Sequence, residues 1–571
     1  MKSILTSLFV CASISMNAQF LHQKGTEIVD GSGKPVILRG LGLGGWMLQE
    51  GYMLKTADFA GPQYKIREKI QEIIGPEKTE AFYQAYRDNG ITKRDIDSLK
   101  AWGFNSIRLP MHYKLYTPPI EESKDSWLKE GFDRTDKLLE WCAANQMYLI
   151  LDMHGTPGGQ GKDANISDYD TTKSSLWESQ DNRNKLVALW KKLAERYKDS
   201  KWIGAYDLIN EPNWAFTGTN QNGCDEKSNA PLREIYIELT KAIREVDKNH
   251  MIIIEGNCWG NNYSGIFPLW DNNMALSFHK YWNYTNDGSL QTMLDYREKY
   301  QVPIWLGESG ENSNQWFADA ISLVEKHKIG WAWWPMKKID NLAGFGNVKF
   351  TKGYQDLLDY WNGKGPKPDA DVAYKSLMEV ASNYRIENTK IQYDVIDAMF
   401  RQPHDKSAKP FKKHQIGKKV FASDYDFGGH NTAYSDTDFQ NLWVDTQKRE
   451  EWNSGHAYRN DGVDIYSSSD KDSNGYYVGD IKSGEWLRYT IPVKSKTNYS
   501  VSLRYSGAAG KVRIEDGKGN VAGTIELKAT SGLNDWKTAN VKNVKFENPG
   551  SVKLVFENDG NQFGWFEVSA K

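Results

Sequence analysis

Cysteine is scarce in this chain, with four in 571 residues, and none is spaced to hold a metal. There is no CxxC pair and no HExxH, the short spacings that most often bind zinc, so neither a metal nor a cofactor is expected. Charge of one sign is lacking too: 72 basic residues stand against 74 acidic, a net of −2, and such a chain has no field with which to gather a polyanion. Nucleic acid is therefore not an expected partner. The apolar residues 1–18, MKSILTSLFVCASISMNA, are too short to span a bilayer as a mature helix and read as a secretory signal peptide cut before Gln19. They predict a secreted protein, extracellular, periplasmic or at the cell surface, without a membrane span. Loss of that segment leaves Cys142, Cys224 and Cys258, which can close at most one disulfide. Cys142 lies in the helical pattern LLEWCAANQ and reads as a buried thiol, while Cys224 and Cys258 fall in loop-like surroundings where a bridge has room to form.

Aromatic residues are abundant instead. The 22 Trp and 30 Tyr exceed what a core needs, and their rings combine a flat apolar face with a polar handle, the surface that stacks on the C–H face of a sugar. The length calls for at least two domains.

Apolar strand-like runs alternate with helix-length segments eight times between residues 19 and 401, which predicts an α/β fold, a (β/α)8 barrel. Six of the runs carry candidate site residues at or near their ends. FNSIRLP carries Arg108, LDMHG His154, LINEP Asn210 and Glu211, SFHKYW His279 and Tyr281, WLGESG Glu308, and WAWWPMK Trp334. In a barrel these ends converge on one mouth. Two carboxylates delivered there by separate strands are what cleavage of a glycosidic bond requires, one to protonate the leaving oxygen and one to attack the anomeric carbon or activate water. Burial raises a carboxyl pKa, so a buried Glu211 keeps its proton and suits the acid role. Glu255 and Glu311 are competing carboxylates; Glu308 is preferred because it follows directly on its apolar run.

Residues 402–414 are basic, bear prolines and read as a linker. Beyond residue 415 short alternating stretches such as YSVSLRYSG and SVKLVFEND, broken by Gly, Asn and Ser, predict an antiparallel β-sandwich to residue 571.

Over residues 20–390 the motifs LINEP, LGESG, SIRLP, LDMHG, FHKY and the final Trp-bearing strand resemble family 5 of the glycoside hydrolases. The resemblance implies a retaining mechanism with Glu211 as acid/base and Glu308 as nucleophile. His279 and Tyr281 would position the nucleophile, Arg108 would favour its charged form, Asn210 would bond the sugar 2-hydroxyl, and Trp334 would floor the subsite beside the cut. LGLGGWMLQEGYM and HGTPGGQ further resemble the branch of exo-β-glucanases. ASDYDFGG, AYSDTD, GVDIY, GEWLRYTIPV and GWFEV resemble family 6 carbohydrate-binding modules, with Trp536 as one wall of a sugar clamp. Asp480 occupies the place of the opposite aromatic, for which Tyr476 or Tyr477 would have to substitute. The combined expectation is a secreted retaining glycosidase acting on β-1,4- or β-1,3-glucan, with mannan, xylan and β-1,6-glucan as alternatives and a non-catalytic glycan-binding protein as a different class. The barrel is expected to hold all the chemistry and the sandwich only to anchor it.

Overall fold

The computed structural model describes residues 20–448 and 451–570, so the expected signal peptide lies outside the described residues. Eight parallel strands close a barrel: β1 (Arg39–Gly42), β2 (Ser106–His112), β3 (Tyr148–Gly155), β4 (Ile203–Asp207), β5 (Met251–Glu255), β6 (Met274–Lys280), β7 (Ile304–Gly310) and β8 (Gly330–Trp334). β8 pairs with both β7 and β1. Strands covered on both faces read as continuous apolar runs rather than alternating ones, and every residue of YLILDMHG in β3 and MIIIE in β5 is buried. The surrounding helices carry one apolar stripe each. In Ala230–Val246, Leu232, Ile235, Tyr236, Leu239 and Ile243 recur at three- and four-residue steps and are buried. An N-terminal hairpin, His22–Lys24 with Glu27–Val29, adds Leu21 and Ile28 to a cluster with Ile150, Ala205, Ile253 and Ala275.

The sequence pattern extended the fourth strand too far. Its ladder ends at Asp207, and Leu208 to Glu211 leave it as a tight loop with Glu211 at φ 42°. A non-glycine residue in that region costs about 1–3 kcal/mol, and such strain persists only where neighbours hold it. Here the Glu211 N–H donates to Glu255 Oε2 at 2.7 Å.

Two antiparallel sheets form the C-terminal sandwich. Strand Asn498–Gly507 shows the period of two that a half-buried strand needs: Tyr499, Val501, Leu503 and Tyr505 point into the core between Ser500, Ser502 and Arg504. Residues 402–414 lie against it: Lys409 bridges Phe427, and Phe411 packs edge-on against Phe427 and Tyr458.

Barrel and sandwich meet through a buried polar network. Asn441 N–H donates to Asn312 Oδ1 at 2.9 Å, and Asn312 Nδ2 donates back to Asn441 O at 2.7 Å. Asn460 Nδ2 donates to Asn312 O, and Asn314 Nδ2 to Asp394 and Asp461. A buried network with its partners present holds one relative orientation of the elements it joins. Cys224 and Cys258 form a disulfide, and Cys142 is a buried free thiol.

Candidate active site

The mouth of the barrel opens into a cavity of about 700 Å³ whose lining includes Glu211, His279, Tyr281, Glu308 and Trp334. Arg108, His154 and Asn210 lie beneath it, 0%, 1% and 0% exposed, so they act on the cavity through their neighbours.

Arg108, at the centre of β2, is the hub. Its guanidinium donates to Glu308 Oε2 at 2.8 Å, to Asn210 Oδ1 at 2.7 Å, to Asp207 Oδ2 at 3.0 Å and to Glu255 Oε1 at 3.0 Å, and it lies 3.3 Å from Asp152. Burial by itself lowers the guanidinium pKa, but Asp152, Asp207, Glu255 and Glu308 together hold it well above the ordinary value. One cation does not neutralise so many anions. Asp207 takes up the imbalance: burial and the adjacent Glu255 push its carboxyl far up, against the pull of Arg108. Glu255 goes the other way, because His279, Arg108 and the Glu211 N–H outweigh its burial. A charged Glu255 and a charged Arg108 thus form the floor under the two glutamates at the cavity.

Glu308, on β7, also accepts a hydrogen bond from the Tyr281 hydroxyl at 2.8 Å. The expected pairing of Tyr281 with this carboxylate is present; that of His279 is not. His279 Nδ1 lies 2.6 Å from Glu211 Oε1 and Nε2 lies 3.2 Å from Glu255. The imidazole reaches from β6 to the neighbouring β5 and to the loop after β4, so it serves the other carboxylate. Burial would keep it neutral, but Glu255, Glu308 and Glu211 together raise its pKa well above the usual histidine value. Burial is also the largest influence on Glu211 and raises its carboxyl; Glu308 and Glu255 add to the rise and His279 opposes it.

One oxygen of Glu211 and one of Glu308 lie within 4.8 Å of each other and of a His279 nitrogen. Glu311, the rival carboxylate, is tied to Lys338 at 2.8 Å.

Trp334 ends β8 with its ring stacked on His154, centroids 5.0 Å apart at 11°, and its Nε1 donates to the Tyr52 hydroxyl at 2.9 Å. Glycines in LGLGGW exist to admit that ring: a Cβ on Gly42 or on Gly44 would stand 2.6 Å from it. His154 is oriented from behind by Asp152, 2.8 Å from Nδ1. Asn210, with its oxygen on Arg108 and its Nδ2 3.3 Å from His154 Nε2, is fixed in place.

Several cavity residues lie outside the expected site set, although Glu50 and Tyr52 fall within LGLGGWMLQEGYM. Glu50 and Tyr52 enter from the loop after β1 and Asp163 from the loop after β3. Burial, reinforced by Glu308 and Glu211, pushes the Glu50 carboxyl well above its usual range. Trp259 and Trp282 add flat rings on further loops, and Trp443 adds one from the C-terminal domain.

At the sandwich, Tyr477 is the aromatic partner of Trp536, with centroids 5.5 Å apart and edge to face. Tyr476 turns instead toward Tyr458, at 4.7 Å. Asp480 accepts a hydrogen bond from the Tyr466 hydroxyl, and the Tyr466 ring stacks on Tyr477.

A barrel of this topology with paired glutamates at its mouth is the architecture of a glycoside hydrolase. Residues 68–339 match the family model described as cellulase, glycosyl hydrolase family 5, and the barrel is a domain of that family. The chain is therefore an O-glycosyl hydrolase. Residues 459–568 match a carbohydrate binding module of family 35. This corrects the expected family 6: ASDYDFGG and AYSDTD, two of the motifs behind that expectation, precede the matched region, and the aromatic wall expected at position 480 is an aspartate. Among relatives, a beta-xylosidase of Phanerodontia chrysosporium is 28% identical over 59% of this chain and 75% of its own length. Endoglucanase C of Acetivibrio thermocellus is 26% identical over 46% of this chain and 88% of its own. The solved catalytic domain of Thermobifida fusca endoglucanase Cel5A is 19% identical, with a TM-score of 0.39, and spans 63% of this chain and 97% of that one.

Proposed function

We propose that this enzyme hydrolyses β-glucan with retention of anomeric configuration, Glu308 acting as nucleophile and Glu211 as acid/base. The observation that carries the reading is the separation of that pair. An oxygen of each carboxyl within 4.8 Å of the other fits the about 5–5.5 Å spacing of a retaining pair better than the about 6.5–9.5 Å that an inverting enzyme uses to admit a water.

Glu308 attacks the anomeric carbon as the glycosidic C–O bond breaks, and Glu211 gives its proton to the departing oxygen. The product is a glycosyl ester on Glu308. Esterification removes the Glu308 charge, and with it one of the influences that had raised the Glu211 pKa. Glu211 then holds a proton less tightly and stands ionised, the form in which it can accept one. It takes a proton from water, whose oxygen attacks the anomeric carbon and expels Glu308. His279, held cationic by Glu255, steadies the Glu211 carboxylate between the two steps. Tyr281 and Arg108 hold Glu308 in line for attack. Trp334 offers its face to the sugar at the cut.

β-Glucan is favoured by the names of similar proteins, an endoglucanase and a probable glucan 1,3-beta-glucosidase A of Aspergillus clavatus. Secretion is part of the proposal and rests on residues 1–18. The C-terminal module, of family 35 type, would hold polymer at the Tyr477–Trp536 pair. Incubation with β-1,4-, β-1,3- and β-1,6-glucan, mannan and xylan tests the reading. Release of β-anomeric sugar from a glucan is expected; release from mannan or xylan alone would overturn the choice of substrate.

A further inference from the structure

Trp443 belongs to the C-terminal domain, yet it lines the same cavity as Glu211 and Glu308. Trp443 is 41% exposed, so part of its ring is open to solvent at the cavity. It begins a short helical turn, Trp443–Thr446, two residues after Asn441. Asn441 is the residue that exchanges two hydrogen bonds with Asn312, four residues past Glu308. Asn312 is in turn held by Asn460, and all three are 0% exposed. The network thus fixes the start of the Trp443 turn to the loop that follows the β7 strand bearing Glu308.

We infer that Trp443 is a sugar-stacking residue of the catalytic cleft, supplied by the second domain, and that it binds a substrate unit beyond the one at the cut. The inference rests on the proposed cleavage of glycan in this cavity. The sugar at the cut has Trp334 for its floor, and Trp259 and Trp282 stand on separate barrel loops. A ring on the facing domain adds a wall that the barrel by itself lacks. The sandwich is then part of the cleft as well as an anchor.

Kinetics of the full-length Trp443→Ala and Trp443→Phe variants test this, with 4-nitrophenyl β-glucoside as the one-sugar probe and cellotetraose and laminaritetraose as the longer ones. Being exposed, Trp443 contributes little to folding, and an unchanged melting temperature checks that. For whichever tetraose the wild type cleaves, kcat/KM should fall roughly tenfold in Trp443→Ala and recover in large part in Trp443→Phe, the gain expected of one stacked ring. The one-sugar probe should change less than twofold. Equal kcat/KM for wild type and Trp443→Ala on the tetraose, or an equal loss on both probe lengths, would overturn the inference alone. A wild type that cleaves neither tetraose nor any polymer would overturn the glucan reading and this inference with it.

Discussion

His279 Nδ1 lies 2.6 Å from Glu211, while its other nitrogen faces Glu255 at 3.2 Å. The imidazole therefore couples the acid/base to the buried charge beneath it, and this coupling has a kinetic signature.

Burial raises Glu211, so its proton survives to a higher pH than that of a free glutamic acid, and the alkaline limb of kcat/KM reports its loss. The His279 cation works against that rise. Replacing His279 with Gln should accordingly move the alkaline limb to higher pH and slow deglycosylation, in which Glu211 must act as a base. A 2,4-dinitrophenyl glycoside, whose leaving group needs no proton, should show no alkaline limb in glycosylation. pH–rate profiles of wild type and His279→Gln on substrates of both kinds check this; an unmoved limb would assign His279 a packing role only.

Arg108→Met should be severely destabilising. The guanidinium is fully buried among Asp152, Asp207, Glu255 and Glu308, and removing it leaves several carboxylates without their cation. Breaking a buried ion pair from one side costs about 3–5 kcal/mol. Urea unfolding at pH 7 measures the loss. Lowering the pH should recover part of it, because protonation removes the uncompensated charges.

The Cys224–Cys258 bridge spans 34 residues and ends beside Trp259 in the cavity wall. Loop-closure entropy for that length corresponds to about 3–4 kcal/mol. Replacing both cysteines with Ser should lower the melting temperature and raise KM more than it lowers kcat. A melting curve with and without reductant checks the first part and oligosaccharide kinetics the second.

Trp536→Ala should weaken retention of the full-length enzyme on insoluble glucan by roughly tenfold, the worth of one exposed stacking ring. Its kcat/KM on a soluble tetraose should stay within twofold of wild type, since Trp536 is absent from the catalytic cavity. Pull-down and kinetics on the same preparation separate it from Trp443.

The barrel was legible because its eight strands are buried on both faces and so appear as apolar runs, most of them with a polar residue at or near the mouth. Arg108, Glu211, Tyr281 and Glu308 were found by that rule. What it could not give was which side chain meets which. The family resemblance pairs His279 with Glu308, which is also its neighbour in the β6–β7 ladder, yet its ring turns to Glu211 and Glu255. Ladder register does not contain that rotamer choice. Glu255 looked like a rival catalyst and is instead an anionic support, a difference decided by burial and by Arg108. Glu50, Asp163 and Trp259 come from loops whose course no periodicity encodes. Trp443 lay furthest from view, because its role follows from docking two domains through Asn312 and Asn441, residues with no pattern of their own.

The central claim is that Glu308 forms the glycosyl-enzyme and Glu211 moves the proton. Azide rescue of the two alanine variants on a dinitrophenyl β-glucoside tests it most directly. Glu308→Ala leaves room for azide to attack the substrate itself, so the product should be the α-glycosyl azide. In Glu211→Ala the covalent intermediate still forms, azide opens it with a second inversion, and the product should be the β-glycosyl azide. Loss of about 10²–10⁴-fold in the Glu211→Ala rate on unactivated substrate should accompany this. The same anomer from both variants, or undiminished activity in Glu308→Ala, would contradict the account.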